Sequence, residues 1–206
     1  MTTLKFIKTF LLIALYSCGQ HSAKNTVDPA AVELNYKAMT LVAFIDNADS
    51  SKKAISLLNK ATIIDSNYFL GHYNKLLFFN QLKQFDKAVL TVNKLIQLRP
   101  SAHDLYLTGG ILYERIGDTV SSKQYFTKSL TICTTVLDTM SVTNRDNDML
   151  LTNKAANLIM LGYQQQANEI LKKLYDNQTD EELKLNTLLM MNKSKKQLLE
   201  FWSGNQ

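Results

Sequence analysis

Proline and glycine are scarce in this chain: two and seven in 206 residues. A fold of short strands and tight turns needs more of both, so their shortage excludes it and leaves long uninterrupted helices as the expected use of the backbone. Histidine is limited to His21, His72 and His103, and none stands four residues from another histidine, cysteine or carboxylate as a helical zinc pair would. There is no phosphate-cradling glycine loop, no G-x-S-x-G and no GxGxxG. Catalysis needs acids, bases or nucleophiles grouped within reach of one another. No such group is visible, so neither an enzymatic activity nor a cofactor or metal is expected. A strong charge of one sign is missing too. The formal net charge is +5, and setting aside Lys5 and Lys8 at the N-terminus leaves 21 basic against 18 acidic side chains. Lys60, Lys75, Lys87, Lys94 and Lys128 recur singly, which reads as a solvated helix face and not as a nucleic-acid surface.

A membrane-spanning run is also absent at the N-terminus, where the apolar stretch from Phe10 to Tyr16 falls short of the roughly 20 residues a helix needs to cross a bilayer. Preceded by Lys5 and Lys8, it has the layout of a secretory signal peptide. The sequence Leu15-Tyr16-Ser17-Cys18-Gly19 that follows resembles the lipobox of bacterial lipoproteins, with Tyr16 a bulkier residue than that pattern usually carries. The resemblance implies cleavage before Cys18 and acylation of its sulfur, palmitate being one such chain. Two or three acyl chains at about 0.8 kcal/mol per buried CH₂ anchor a domain stably. It also implies a cell-envelope location on the inner or outer membrane, facing the periplasm. With Cys18 lipidated, Cys133 has no disulfide partner and reads as a small core residue. The polar segment from His21 to about Pro29 reads as a tether. The expected organisation is a signal peptide over 1–17, lipidated cysteine and tether over 18–33, and one helical domain over 34–202.

Within that domain the chain repeats itself. Ala54, Ala88 and Ser122 are spaced 34 residues apart, and the same shift aligns Leu58, Val92 and Phe126; Ala61, Leu95 and Ser129; and Ile45, Phe79 and Tyr113. Two antiparallel helices approach closely only where a side chain is small, with bulky neighbours filling the space beside it. The clearest copy is Phe69 to Pro100: a helix, a turn at Gln84-Phe85-Asp86-Lys87, a second helix opening near Ala88, and a stop at Pro100. Turns are expected at Asp49-Ser50-Ser51 and Gly117-Asp118, and Gly109-Gly110 lies inside a helix, where a neighbouring helix would pack against bare backbone. The period and these columns resemble the tetratricopeptide repeat. Three copies span roughly Asn35–Tyr68, Phe69–Ala102 and His103–Val136. A fourth, built on Ala155, Leu158, Gly162, Ala167, Leu171 and Leu174, places Ala167 45 residues after Ser122. The excess falls in 137–148, as a polar loop or an extended second helix. Asp180 to Trp202 reads as one terminal capping helix starting at Thr179-Asp180-Glu181-Glu182.

The resemblance implies an all-α solenoid of about four helical hairpins whose first helices line a groove. Carried over by position, the partner-binding residues are Tyr36, Met39, Leu70, Tyr73, Leu77, Asn80, Asp104, Leu107, Ile111 and Glu114, with Ala43 and Asp46 beside them. His72 occupies a helix-packing place. The lysines, asparagines and arginines with which this family clamps a terminal carboxylate are absent at the corresponding places. It reads as apolar and aromatic with an acidic edge, suited to an amphipathic helix or extended apolar peptide unless its own chain fills it. The expected function is a membrane-anchored protein-interaction module of the envelope with an assembly role. A periplasmic immunity or inhibitor lipoprotein acting on a toxic effector is the alternative. A protein partner and a membrane are expected, without nucleic acid or a small-molecule substrate.

Overall fold

The computed structural model describes residues 26–139 and 145–202. The expected signal peptide, Cys18, the expected tether up to residue 25 and residues 140–144 of the 137–148 insertion lie outside the described residues. Among the described residues there are ten α-helices, one short 3-10 helix and no strand. They are α1 (Pro29–Met39), α2 (Ala48–Ile64), α3 (Phe69–Gln81), α4 (Phe85–Leu98), α5 (His103–Arg115), α6 (Thr119–Thr139), α7 (Arg145–Met160), α8 (Gln164–Asn177), α9 (Glu181–Met190) and α10 (Lys195–Trp202). The 3-10 turn Thr40–Phe44 extends α1. No described helix is long and apolar enough to cross a membrane. The chain divides into two compact units, residues 26–101 with 112–119 and residues 102–111 with 120–202.

In the first unit α1 packs on α2, α2 on α3 and α3 on α4, and α1 also lies against α3. The aligned columns form its interior: Ala54, Leu58, Ala61, Ala88, Val92 and Leu95 are all fully buried. Each large member of such a set contributes about 1.5–3 kcal/mol on leaving water. Ala31, Ala61 and Tyr68 gather with Val27 and Leu34 at one end. Helix α1 starts at Pro29, capped by the Asp28 carboxylate on Ala30 N–H at 2.8 Å, five residues before the expected domain start. Proline suits that place because its missing N–H would have no intrahelical partner.

In the second unit Phe126, Ala155, Ile159, Ala167, Leu171 and Leu198 are buried in one cluster that continues through Leu107 and Ile111. The Gly110 backbone faces the Phe126 ring, and a Cβ there would stand 2.6 Å from Phe126 Cδ1. Helix α7 packs on α8, and α8 on α9. The additional residues before the fourth copy lengthen α6 through Thr139. The terminal segment is two helices and not one: Asp180 caps α9 through Glu182 N–H and Leu183 N–H, but Asn192 takes φ 61 and breaks the helix before α10. Asparagine tolerates that left-handed conformation better than other non-glycine residues.

The turns are tighter than their polar residues imply. After α3, Lys83 N–H donates to the Asn80 carbonyl and Gln84 N–H to the Phe79 carbonyl. That paired closure needs a left-handed residue, and Lys83 supplies it at φ 54. The same two bonds recur around Gly117 (φ 82) and Gly162 (φ 88). The next helices therefore open at once, at Phe85 and Gln164, so Phe85-Asp86-Lys87 and Gln164-Gln165-Gln166 are helical. At the first hairpin Asn47 accepts from Asp49 and Ser50 N–H, at 2.9 and 3.1 Å, which draws Asp49, Ser50 and Ser51 into α2. Lys83 holds a conformation its glycine counterparts adopt freely. Lys83→Gly should raise stability by about 1 kcal/mol, read as a higher urea midpoint with an unchanged slope.

Candidate functional site

Helices α1 and α3, the first helices of their hairpins, are tied side by side by a buried amide pair. Asn74 Nδ2 donates to Asn35 Oδ1 at 2.8 Å. With those residues turned inward, other side chains of α1 and α3 are left at the surface. Tyr36 is 70% exposed, and Val32 and Leu70 are each 44% exposed. Met39, Tyr73, Leu77 and Asn80 are half-buried along the same faces. Phe69 and Tyr73 stack with centroids 6.1 Å apart, and the Arg99 guanidinium carbon lies 3.7 Å above the Phe69 ring. Toward the other end Asn80 accepts from Arg115 Nη1, and Gln81 Nε2 lies 3.4 Å from the Asp46 carboxylate. Glu114 is half-buried. The α1–α3 face is thus apolar and aromatic, with polar groups at its ends.

The remaining expected residues lie in the second unit and divide differently. Asp104 is half-buried, but Leu107 and Ile111 are core residues, packed with Phe126, Ile159 and Met160. Helices α6 and α7 cover the side of α5 that carries them, so they are unavailable to a partner.

A polar cluster beside that core has the residue types of a catalytic site without the geometry. Ser129 Oγ donates to the His103 carbonyl at 2.7 Å, so its proton is held by backbone and not by a base. Asn157 Nδ2 donates to Ser129 Oγ and to the Asn153 carbonyl, each at 2.8 Å. The Asn153 amide lies 3.2 Å from His103 Nδ1, an arrangement that suits a neutral imidazole protonated on Nε2. Burial lowers the His103 pKa, with Asp104 opposing the shift. Burial likewise pushes the Cys133 thiol up to about 12, against the effect of its hydrogen bond with Ser129. A thiol so far from ionisation is no nucleophile, and Cys133 is the core residue its apolar neighbours imply. Among the described residues no three His, Cys, Asp or Glu side chains gather as metal ligands.

Lys75 departs from expectation. It is not on a solvated face but is 8% exposed, its ammonium donating to Thr62 Oγ1 at 2.6 Å. Thr62 in turn donates to the Leu58 carbonyl at 3.0 Å. A threonine 13 residues upstream, one turn from the end of the preceding helix, gave no sequence signal that a lysine would be buried against it. Burial lowers the Lys75 pKa from 10.5. Burial also lowers that of His72, whose Nε2 bonds the Ser66 carbonyl, as the packing place of that residue requires.

The sign of the pH dependence follows. Below 10.5 the unfolded chain holds the Lys75 proton more tightly than the folded one, so this residue makes stability rise with pH through the window ending near 10.5. His72 and His103, both lowered from 6.5, make stability fall as pH drops below about 6.5 toward their folded values. Lys75→Met should raise stability at neutral pH and remove the alkaline slope while leaving the acid limb in place, measured by urea unfolding from pH 5 to 10.

No protein-family model matches the chain, and no curated protein matches it in sequence. Among solved structures it is similar to PilW, described as a widely conserved type IV pilus biogenesis factor. The two are 17% identical and reach a TM-score of 0.56, with the match covering 87% of this chain and 77% of PilW. The likeness is one of fold, and with the buried 34-residue columns it makes this chain an all-α protein of tetratricopeptide-type helical hairpins.

Proposed function

We propose that this protein is a membrane-anchored interaction module of the bacterial cell envelope that captures a segment of a partner protein on the α1–α3 face. The observation that carries this is the exposure of Tyr36 and Leu70 on two first helices locked together by the Asn35–Asn74 bond. Apolar side chains on a rigid helical face lose little entropy on binding and supply the anchors of helix or extended-peptide recognition. The lipobox-like Leu15-Tyr16-Ser17-Cys18 supplies the anchor in this reading, restricting the search for a partner to the membrane surface. PilW is by its description a pilus biogenesis factor, and an assembly role in the envelope is the proposal that accords with that likeness.

Two experiments bear on it separately. Cys18→Ser should release the full chain from membranes and abolish fatty-acid incorporation; unchanged membrane association would remove the anchor from the account. Tyr36→Ala combined with Leu70→Asp should keep the melting temperature nearly unchanged. It should weaken the partner crosslinked from native envelopes by tenfold or more, as loss of two anchors worth about 1 kcal/mol or more each requires. Retained capture would move the site elsewhere. Capture of a single toxic enzyme would favour the inhibitor role over assembly.

A further inference from the structure

We propose that Arg99 reads charge on this face, selecting partner segments that carry a carboxylate beside their apolar residues. The inference rests on the α1–α3 reading above and adds the chemical class of the partner. Arg99 closes α4, its N–H bonding the Leu95 carbonyl at 2.9 Å, and its side chain is exposed. The guanidinium is held over Phe69 at 3.7 Å, and Phe69 stacks on Tyr73, one of the face residues. An arginine resting on an aromatic ring keeps its planar donor edge in the solvent and has less freedom left to lose when a carboxylate takes that edge in bidentate fashion.

Its charge is also unneutralised. Lys37 on α1, Lys52 and Lys172 each pair with a carboxylate at 2.6–3.0 Å. Arg99 has no carboxylate in ion-pair reach among the described residues, and its recorded contact is the Phe69 ring. A second feature has the same sign and place. Helix α3 opens at Phe69 without a side-chain cap, because Tyr68 stands where Ser, Thr, Asp or Asn would accept from the first N–H groups. The positive end of that helix therefore adds to the field around Arg99. Together the cation and the adjacent Leu70 and Tyr73 match a segment with apolar anchors and an acidic residue at one end. Arg99 stands outside the helix-borne places of the family's carboxylate clamp, where the clamp's residue types are absent.

The test selects from a displayed library of random peptides of about twelve residues, using the full chain as bait. Peptides enriched on the wild type should combine aromatic or aliphatic residues with Asp or Glu and should be lost on Tyr36→Ala/Leu70→Asp. A synthetic peptide from that pool should bind Arg99→Gln about tenfold more weakly, as loss of a charge-assisted contact implies. Its Glu→Gln analogue should be equally weak on the wild type and lose nothing further on Arg99→Gln. Arg99→Lys, keeping the charge without the planar fork, should recover only part of the loss. Peptides that need Tyr36 and Leu70 but show no acidic preference, and bind Arg99→Gln as tightly as the wild type, would overturn the role of Arg99 and leave the face intact. An enriched pool indifferent to Tyr36 and Leu70, or no enrichment at all, would overturn both.

Discussion

Close approach of paired helices at a small side chain is the constraint on which the rest of this structure depends. Ala54, Ala88, Ser122 and Ala167 each have no solvent exposure, and each has a large buried partner one turn on: Leu58, Val92, Phe126 and Leu171. Were any of the four larger, its hairpin would have to open, because a packed interior accommodates extra volume only by strain. The buried glycine backbone at Gly110, against the Phe126 ring, is the limiting case of the same requirement. Once the second helices and the inner sides of the first are committed to this packing, the outer sides of α1 and α3 are left free to carry something else.

Polar groups inside the stack follow the same logic. The Asn35–Asn74 pair, the Lys75–Thr62 bond and the Ser129–Asn157 pair all join separate helices. Buried polar groups stabilise little in net terms but are costly to leave unmade, so each bond opposes helices sliding past one another. Lys75 is the extreme member, a lysine with one neutral partner and a pKa lowered by burial.

The hairpin register was legible because four columns repeat at one spacing, and burial of Leu58, Val92 and Phe126 bears that out. Helix starts were less legible. Runs such as Asp86-Lys87 and Gln164-Gln165-Gln166 look like turns, yet one left-handed residue before each completes the turn and frees them for the next helix. The break at Asn192 was hidden by leucines continuing at helical spacing on both sides. The expected groove residues were all carried over by position; Tyr36 and Leu70 proved exposed, while Leu107 and Ile111 are buried. What covers a helix face depends on helices far along the chain, and α7 begins more than thirty residues after Ile111. Lys75 was misplaced for a related reason: its environment is made by another helix.

In the proposed role, labour is divided between helices: exposed apolar residues on first helices would meet a partner, while those on second helices would not. Leu90 on α4 is 71% exposed, as open as Tyr36 at 70%, so exposure alone does not distinguish them. Site-specific photocrosslinking in the native envelope separates the two directly. A benzophenone side chain placed at Tyr36 or Leu70 should yield a discrete partner adduct, and the same group at Leu90 should yield none. Adducts from Leu90 alone, or equally from all three positions, would contradict the account.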